Sequence, residues 1–106
     1  MEKDVVITSQ GECLRALLPS DIDHHGAKRI REAIDARLIQ TMPRRLVLDF
    51  SRVTFMDSSG IGLIMGRTEQ ARKYGISVEL VGVRTDIMRL MRICGIERIK
   101  DLYITQ

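Results

Sequence analysis

Phe55-Met56-Asp57-Ser58-Ser59-Gly60-Ile61-Gly62 is the stretch on which the reading of this chain turns. A short apolar run, Leu46-Val47-Leu48-Asp49-Phe50, precedes it and has the composition of a buried strand. After it, Ile61, Ile64, Met65, Thr68 and Ala71 recur at helical spacing as far as Tyr74-Gly75, and glycine there is a standard helix stop. The stretch is therefore a strand-to-helix junction. In an open α/β sheet such a junction lies at the carboxyl edge of the strands, where ligands gather. Asp57, Ser58 and Ser59 are three cap-type residues in succession, whereas one helix needs one cap. Gly60, Gly62 and Gly66 each cost roughly 1 kcal/mol against alanine inside a helix, so close approach to the sheet or to a partner has to offset them. A helix N-terminus presents free N–H groups and a partial positive charge. It suits a phosphate, including one carried covalently by a serine. From the residues alone, Ser58 is a cap, a phosphate acceptor or a nucleophile.

Working outward, Val5 to Thr8 and Glu12 to Leu18 read as two strands joined by a hairpin turn at Gln10-Gly11. The second is apolar at most positions on both faces, which suits a strand covered on at least one side. Pro19 ends it, since proline cannot donate to a ladder. Ser20-Asp21-Ile22-Asp23 reads as a polar loop. From His24 the stripe Ala27, Ile30, Ile34, Leu38 predicts a helix with Asp23 as its cap and Pro43 marking its end. Ile76 to Val83 predicts a strand with Val78, Leu80 and Val81 in the core. Thr85-Asp86 is positioned to cap a third helix whose stripe is Ile87, Leu90, Met91 and Cys94, closed by Gly95. Ile99 to Thr105 predicts a short edge strand. This order predicts an α/β fold: a small mixed sheet of about four to five strands, an opening antiparallel hairpin followed by parallel strands, with helices packed on it.

A length of 106 residues fits one compact domain, 1–106. No apolar run approaches the roughly 20 residues of a membrane helix, and no signal-type apolar segment follows the charged Met1-Glu2-Lys3-Asp4, so a cytoplasmic protein without membrane contact is expected. Cys13 and Cys94 lie in apolar contexts far apart and read as small core residues, not as a disulfide or a metal pair. The net charge of +3 is spread among 14 acids, and there is no tryptophan to build a stacking platform, so solvated helix faces are expected and direct DNA binding is not. Enzyme signatures are missing. No Walker A loop is present, and after Gly60 and Gly62 the third glycine, Gly66, falls one residue late for a dinucleotide fingerprint. Met56 replaces the first glycine of a nucleophile elbow around Ser58. His24 or His25 could serve as a base for Ser58 in a small serine hydrolase, but no acid orienter is identifiable, and exposed first-turn residues are the expectation. No cofactor and no metal are expected.

The junction, continued by Gly66-Arg67, resembles the signature of STAS-domain anti-sigma factor antagonists, most closely the sporulation type. Asp21-Ile22-Asp23-His24-His25 is similar to that family's second marker, an acid–aliphatic–Asp–His–His run. The element order matches as well, so the resemblance spans nearly the whole chain. It implies a protein that binds an anti-sigma factor which is also a serine kinase, and so frees a sigma factor for transcription. It implies that the kinase uses ATP to phosphorylate the first serine of Asp-Ser-Ser-Gly, here Ser58, and that the kinase partner carries ATP or ADP. A separate serine phosphatase resets it, and the antagonist itself is not an enzyme. The partner-binding residues carried over are Asp21, Asp23, His24, Met56, Asp57, Ser58, Ser59, Ile61 and Gly62. Two departures stand out. The family's Gly-Glu ahead of the Leu-Asp step reads here Ser20-Asp21-Ile22-Asp23 after Pro19, and the sequence ends at Gln106, where relatives often carry a further helix. The alternatives are a STAS module of a general stress-signalling cascade with a different kinase, and the hydrolase.

Overall fold

The computed structural model describes residues 4–105; residues 1–3, most of the charged N-terminal run, and residue 106 lie outside the described residues. In chain order the elements are β1 (Val6–Gln10), β2 (Cys13–Leu17), β3 (Asp21–Ile22), α1 (His24–Thr41), β4 (Arg45–Asp49), β5 (Phe55–Met56), α2 (Ser58–Lys73), β6 (Ser77–Val81), α3 (Thr85–Ile93), a 3-10 turn (Ile96–Arg98) and β7 (Leu102–Thr105). The main sheet has the order β1-β2-β4-β6-β7, antiparallel at β1-β2 and parallel thereafter. The expected mixed sheet is therefore present, with the tail as an edge strand and Gly75 and Gly95 stopping helices at φ +71° and +76°.

Period-two alternation divides the sheet into two unlike faces. Leu14, Ala16, Leu46, Leu48, Val78, Leu80 and Leu102 are buried in one core with the stripes of the helices. The other face carries the row Thr8, Arg15, Val47, Glu79, Tyr103, set by the strand register. Val47 is buried there yet lies outside the main core. Its neighbours across the sheet, Arg15 and Glu79, carry long side chains whose stems can cover it. That is why β4 reads as apolar on both faces.

Several expectations are corrected. The polar loop at Ser20–Asp23 contains β3, which pairs in parallel with β5 because Ile22 is fully buried and brings its backbone to the partner strand. The hairpin turn begins at Gly11, since β1 runs through Gln10. Cys13 is half-buried and Cys94 exposed, so neither is a core residue; Met88 is buried on α3 beside Ile87 and Met91. Arg84 occupies the cap position of α3 with no side-chain cap bond, and Asp86 sits in the first turn. Met65 is 49% exposed, whereas Leu63 and Arg67 are buried. Helix α2 packs on α1 as well as on the sheet, which turns its buried arc away from Met65. Val81 is half-buried.

Candidate functional site

Two helices begin side by side at one edge. Strands β3 and β5 are paired with Asp21 opposite Phe55 and Ile22 opposite Met56. Backbone hydrogen bonds from Thr54 N to Ser20 O (2.8 Å) and from Asp57 N to Ile22 O (3.3 Å) lock them together. Each strand then ends in an aspartate of nearly identical backbone shape, Asp23 at φ −101°, ψ −174° and Asp57 at φ −96°, ψ −170°. Asp23 Oδ1 accepts from Gly26 N at 2.7 Å, and Asp57 Oδ1 accepts from Ser59 N at 2.8 Å. The Gly26 N–H holds the Asp23 carboxyl below its ordinary pKa against the opposing effect of burial, helped by His25 and Arg29.

The cap redundancy resolves into distinct positions. Asp57 alone caps α2. Ser58 is the first helical residue, is exposed, and its hydroxyl makes no hydrogen bond among the described residues. Ser59 is half-buried and faces a groove between α1 and α2. Asp21 and His24 are exposed beside it. Met56 and Ile61 are buried at 6% and 7% exposure, so they support this surface from beneath. Gly60 packs on Met56: an added Cβ would collide with Met56 Cγ and Sδ. Gly62 is exposed, and a Cβ there would meet nothing within 4 Å. Neither His24 nor His25 is hydrogen-bonded to a serine or an acid among the described residues, so no hydrolase-like relay is formed; their rings stack edge-on at 5.7 Å. No group of three or more potential metal ligands occurs among the described residues, and no described helix is long and apolar enough to cross a membrane.

The pattern of the STAS domain family matches residues 5–105. The chain belongs to the STAS domain family. An anti-sigma F factor antagonist of Paenibacillus polymyxa is 29% identical over 86 residues, covering 81% of this STAS chain and 74% of the relative. An anti-sigma-B factor antagonist of Bacillus subtilis is 26% identical over 102 residues, covering 96% of this chain and 92% of the relative. The solved structure of the anti-sigma factor antagonist SpoIIAA in its unphosphorylated form superposes with a TM-score of 0.75 at 21% identity, over 96% of this chain and 87% of that one. The phosphorylated form of the Bacillus SpoIIAA gives 0.74 at 22%, over 96% and 91%. These structures share the STAS fold seen here.

Sequence reasoning missed three features of this STAS domain. Phe55 is 52% exposed and, with Ser58, Gly62 and Met65, belongs to an outward surface. The alternation of Phe55 with buried Met56 is the signal that would have found it. Arg67, 5% exposed, lies with its Nε 2.8 Å from Asp35 Oδ1, tying α2 to α1. Its place between Ile64 and Ala71 on the inward arc was the clue. The third is the groove of about 380 Å³ between α1 and α2, lined by His24, Lys28, Arg31, Ser59 and Arg67 over Ala27, Gly62 and Leu63. It is shaped by helix packing and has no signature in local sequence.

Proposed function

We propose that this STAS domain, residues 1–106, is a cytoplasmic anti-sigma factor antagonist. It binds an anti-sigma factor serine kinase, frees a sigma factor for transcription, and is switched off by phosphorylation of Ser58. The observation that carries this reading is the free Ser58 hydroxyl: it is exposed at a helix N-terminus whose capping is already done by Asp57. Ser59 is half-buried with its N–H engaged, which favours Ser58 as the acceptor. The relatives' names and the existence of SpoIIAA in phosphorylated and unphosphorylated forms support the same switch.

In this mechanism the exposed surface of Phe55, Ser58, Gly62 and Met65, with Asp21, Asp23 and His24 beside it, docks on the kinase. The Ser58 hydroxyl then lies near the γ-phosphate of the kinase's ATP. Asp21 and Asp23 face cationic groups of the kinase, while Asp57 and Ser59 hold the helix start and Met56 and Ile61 support it. Phosphorylation adds a charge of about −1.5 to −2 next to Asp57. Like charges in a desolvated interface cost several kcal/mol, and about 1.4 kcal/mol already weakens binding tenfold. No refolding is needed. A serine phosphatase restores the binding form.

Ser58→Ala should abolish phosphate incorporation from ATP by the kinase, read by mass spectrometry of the Ser58 peptide, while kinase binding in a pull-down stays intact. Normal incorporation in Ser58→Ala would sink the proposal. The match to an anti-sigma-B factor antagonist over 96% of this chain favours a second reading, a general stress cascade with another kinase. Pull-downs from native extract with ATP or ADP separate the two by the kinase recovered.

A further inference from the structure

A phosphate on Ser58 would stand at a helix start whose nearest backbone donors are already engaged. The Ser59 N–H donates to Asp57 Oδ1 at 2.8 Å, and the Gly60 N–H donates to Asp57 O at 3.0 Å. The neighbouring helix start is closed in the same way, with Gly26 N–H on Asp23 Oδ1 at 2.7 Å and Ala27 N–H on Asp23 O at 2.8 Å. Two aspartates thus hold the first turns of α1 and α2, and a third, Asp21, is exposed beside them. A dianion added among three acids has to find its counter-charge on a side chain.

His24 is placed to supply it. Ile22 lies opposite Met56 in the parallel pair β3-β5, and two residues beyond each stands the first residue of a helix, His24 of α1 and Ser58 of α2. The two therefore occupy equivalent places side by side at one edge, and both are exposed. His24 lines the groove between the helices together with Ser59, so it lies on the α2 side of α1. His25 does not line that groove; it stacks edge-on against His24 at 5.7 Å, and its charge acts on the Asp23 carboxyl. The remaining charged groups there are Lys28 and Arg31, further along α1, and Arg67, which is already paired with Asp35 at 2.8 Å. We propose that the His24 imidazole pairs with the phosphate on Ser58 and so bridges the starts of α1 and α2 in the phosphorylated form. The inference rests on the reading of Ser58 as the phosphorylated residue and gives that phosphate a charge partner within the chain. A neighbouring dianion favours the doubly protonated ring, which donates an N–H to it. Phosphorylation then acts twice on the docking surface: it adds charge beside Asp57, and it draws His24 away from the kinase.

The test uses the full chain with phosphoserine inserted at position 58 during synthesis. No kinase is needed, so a failure here is distinguishable from a failure of the kinase to modify Ser58. Phosphorus NMR follows the phosphate through its second ionisation, about pH 6 for phosphoserine. Pairing with His24 favours the dianion, so the midpoint of the parent should lie about half a pH unit, or about threefold in proton affinity, below that of His24→Gln. About 1 M salt should close most of that gap. His25→Gln and Lys28→Gln should leave the midpoint close to that of the parent. All three side chains are exposed, so these substitutions keep the fold. A His24→Gln midpoint equal to the parent's, a shift as large in His25→Gln or Lys28→Gln, or a gap that persists in full at high salt would each overturn the proposal.

Discussion

Gly60 and Gly62 stand two residues apart and answer to opposite demands. Gly60 leaves room for the buried Met56 side chain, which an added methyl would strike. Gly62 has open space around its Cα. Gly60→Ala should therefore destabilise the chain by about 1 kcal/mol net, overpacking outweighing the better helix former. Gly62→Ala should stabilise it by about 0.5–1 kcal/mol. Urea midpoints at unchanged m-value measure both. If the kinase backbone approaches α2 at this point, the stabilised Gly62→Ala variant will also bind it less tightly. The sequence showed that these glycines carry a cost. It could not tell which one faces the core, because Met56 reaches Gly60 from another element. In the same way, three consecutive cap-type residues were legible, but their division into a cap, a free hydroxyl and a groove wall depends on the neighbouring helix.

Between elements, the packing of α1 on α2 is where hydrophobic periodicity falls short. The stripe Ala27, Ile30, Ile34, Leu38 of α1 is buried as its spacing requires. On α2 a count of apolar residues favours Met65, whereas the contact with α1 buries Leu63 and a charged residue, Arg67. Strands β3 and β5, two residues each, are too short for any periodicity to register. The Arg67–Asp35 contact gives a clear expectation. Arg67→Ala leaves a partly buried carboxylate unpaired and should cost about 3 kcal/mol, the low end for such pairs because Asp35 keeps 27% side-chain exposure. Arg67→Met combined with Asp35→Leu should lie within about 1 kcal/mol of the parent, since apolar replacement removes both desolvation costs. Chemical denaturation of the three proteins checks this; equal losses in the single and double variants would show that packing, not charge, decides the contact.

Over the whole molecule, the sheet has helices on one face and a network of side chains on the other. Arg15 meets Asp49 at 2.7 Å, Arg45 meets Glu79 at 3.7 Å, and Thr105 Oγ1 donates to Glu79 at 3.0 Å. Burial pushes the Asp49 carboxyl up, but hydrogen bonds from Ser51 and the Arg15 pair outweigh it, so its pKa lies below the ordinary value. A depressed carboxyl stabilises the fold above its unfolded pKa, and that contribution disappears as pH falls through the folded value. Asp49→Asn should thus be less stable than the parent near about pH 7, and the gap should narrow toward about pH 3. Urea midpoints across that range test it; a gap independent of pH would place the loss in packing. The strand order and mixed sheet were legible because each strand and helix is locally consistent, whereas cross-strand ion pairs depend on a register that no single stretch contains. A last consequence follows from the pairing of β3 with β5. The backbone of residues 20–23 and of the stretch 54–59 is already ordered at the edge where a partner would arrive, and ordering it on contact would have cost about 1–2 kcal/mol per residue. A rigid, preformed template of this kind allows a small contact area to bind tightly, and a short peptide copied from the same stretch would lack that advantage.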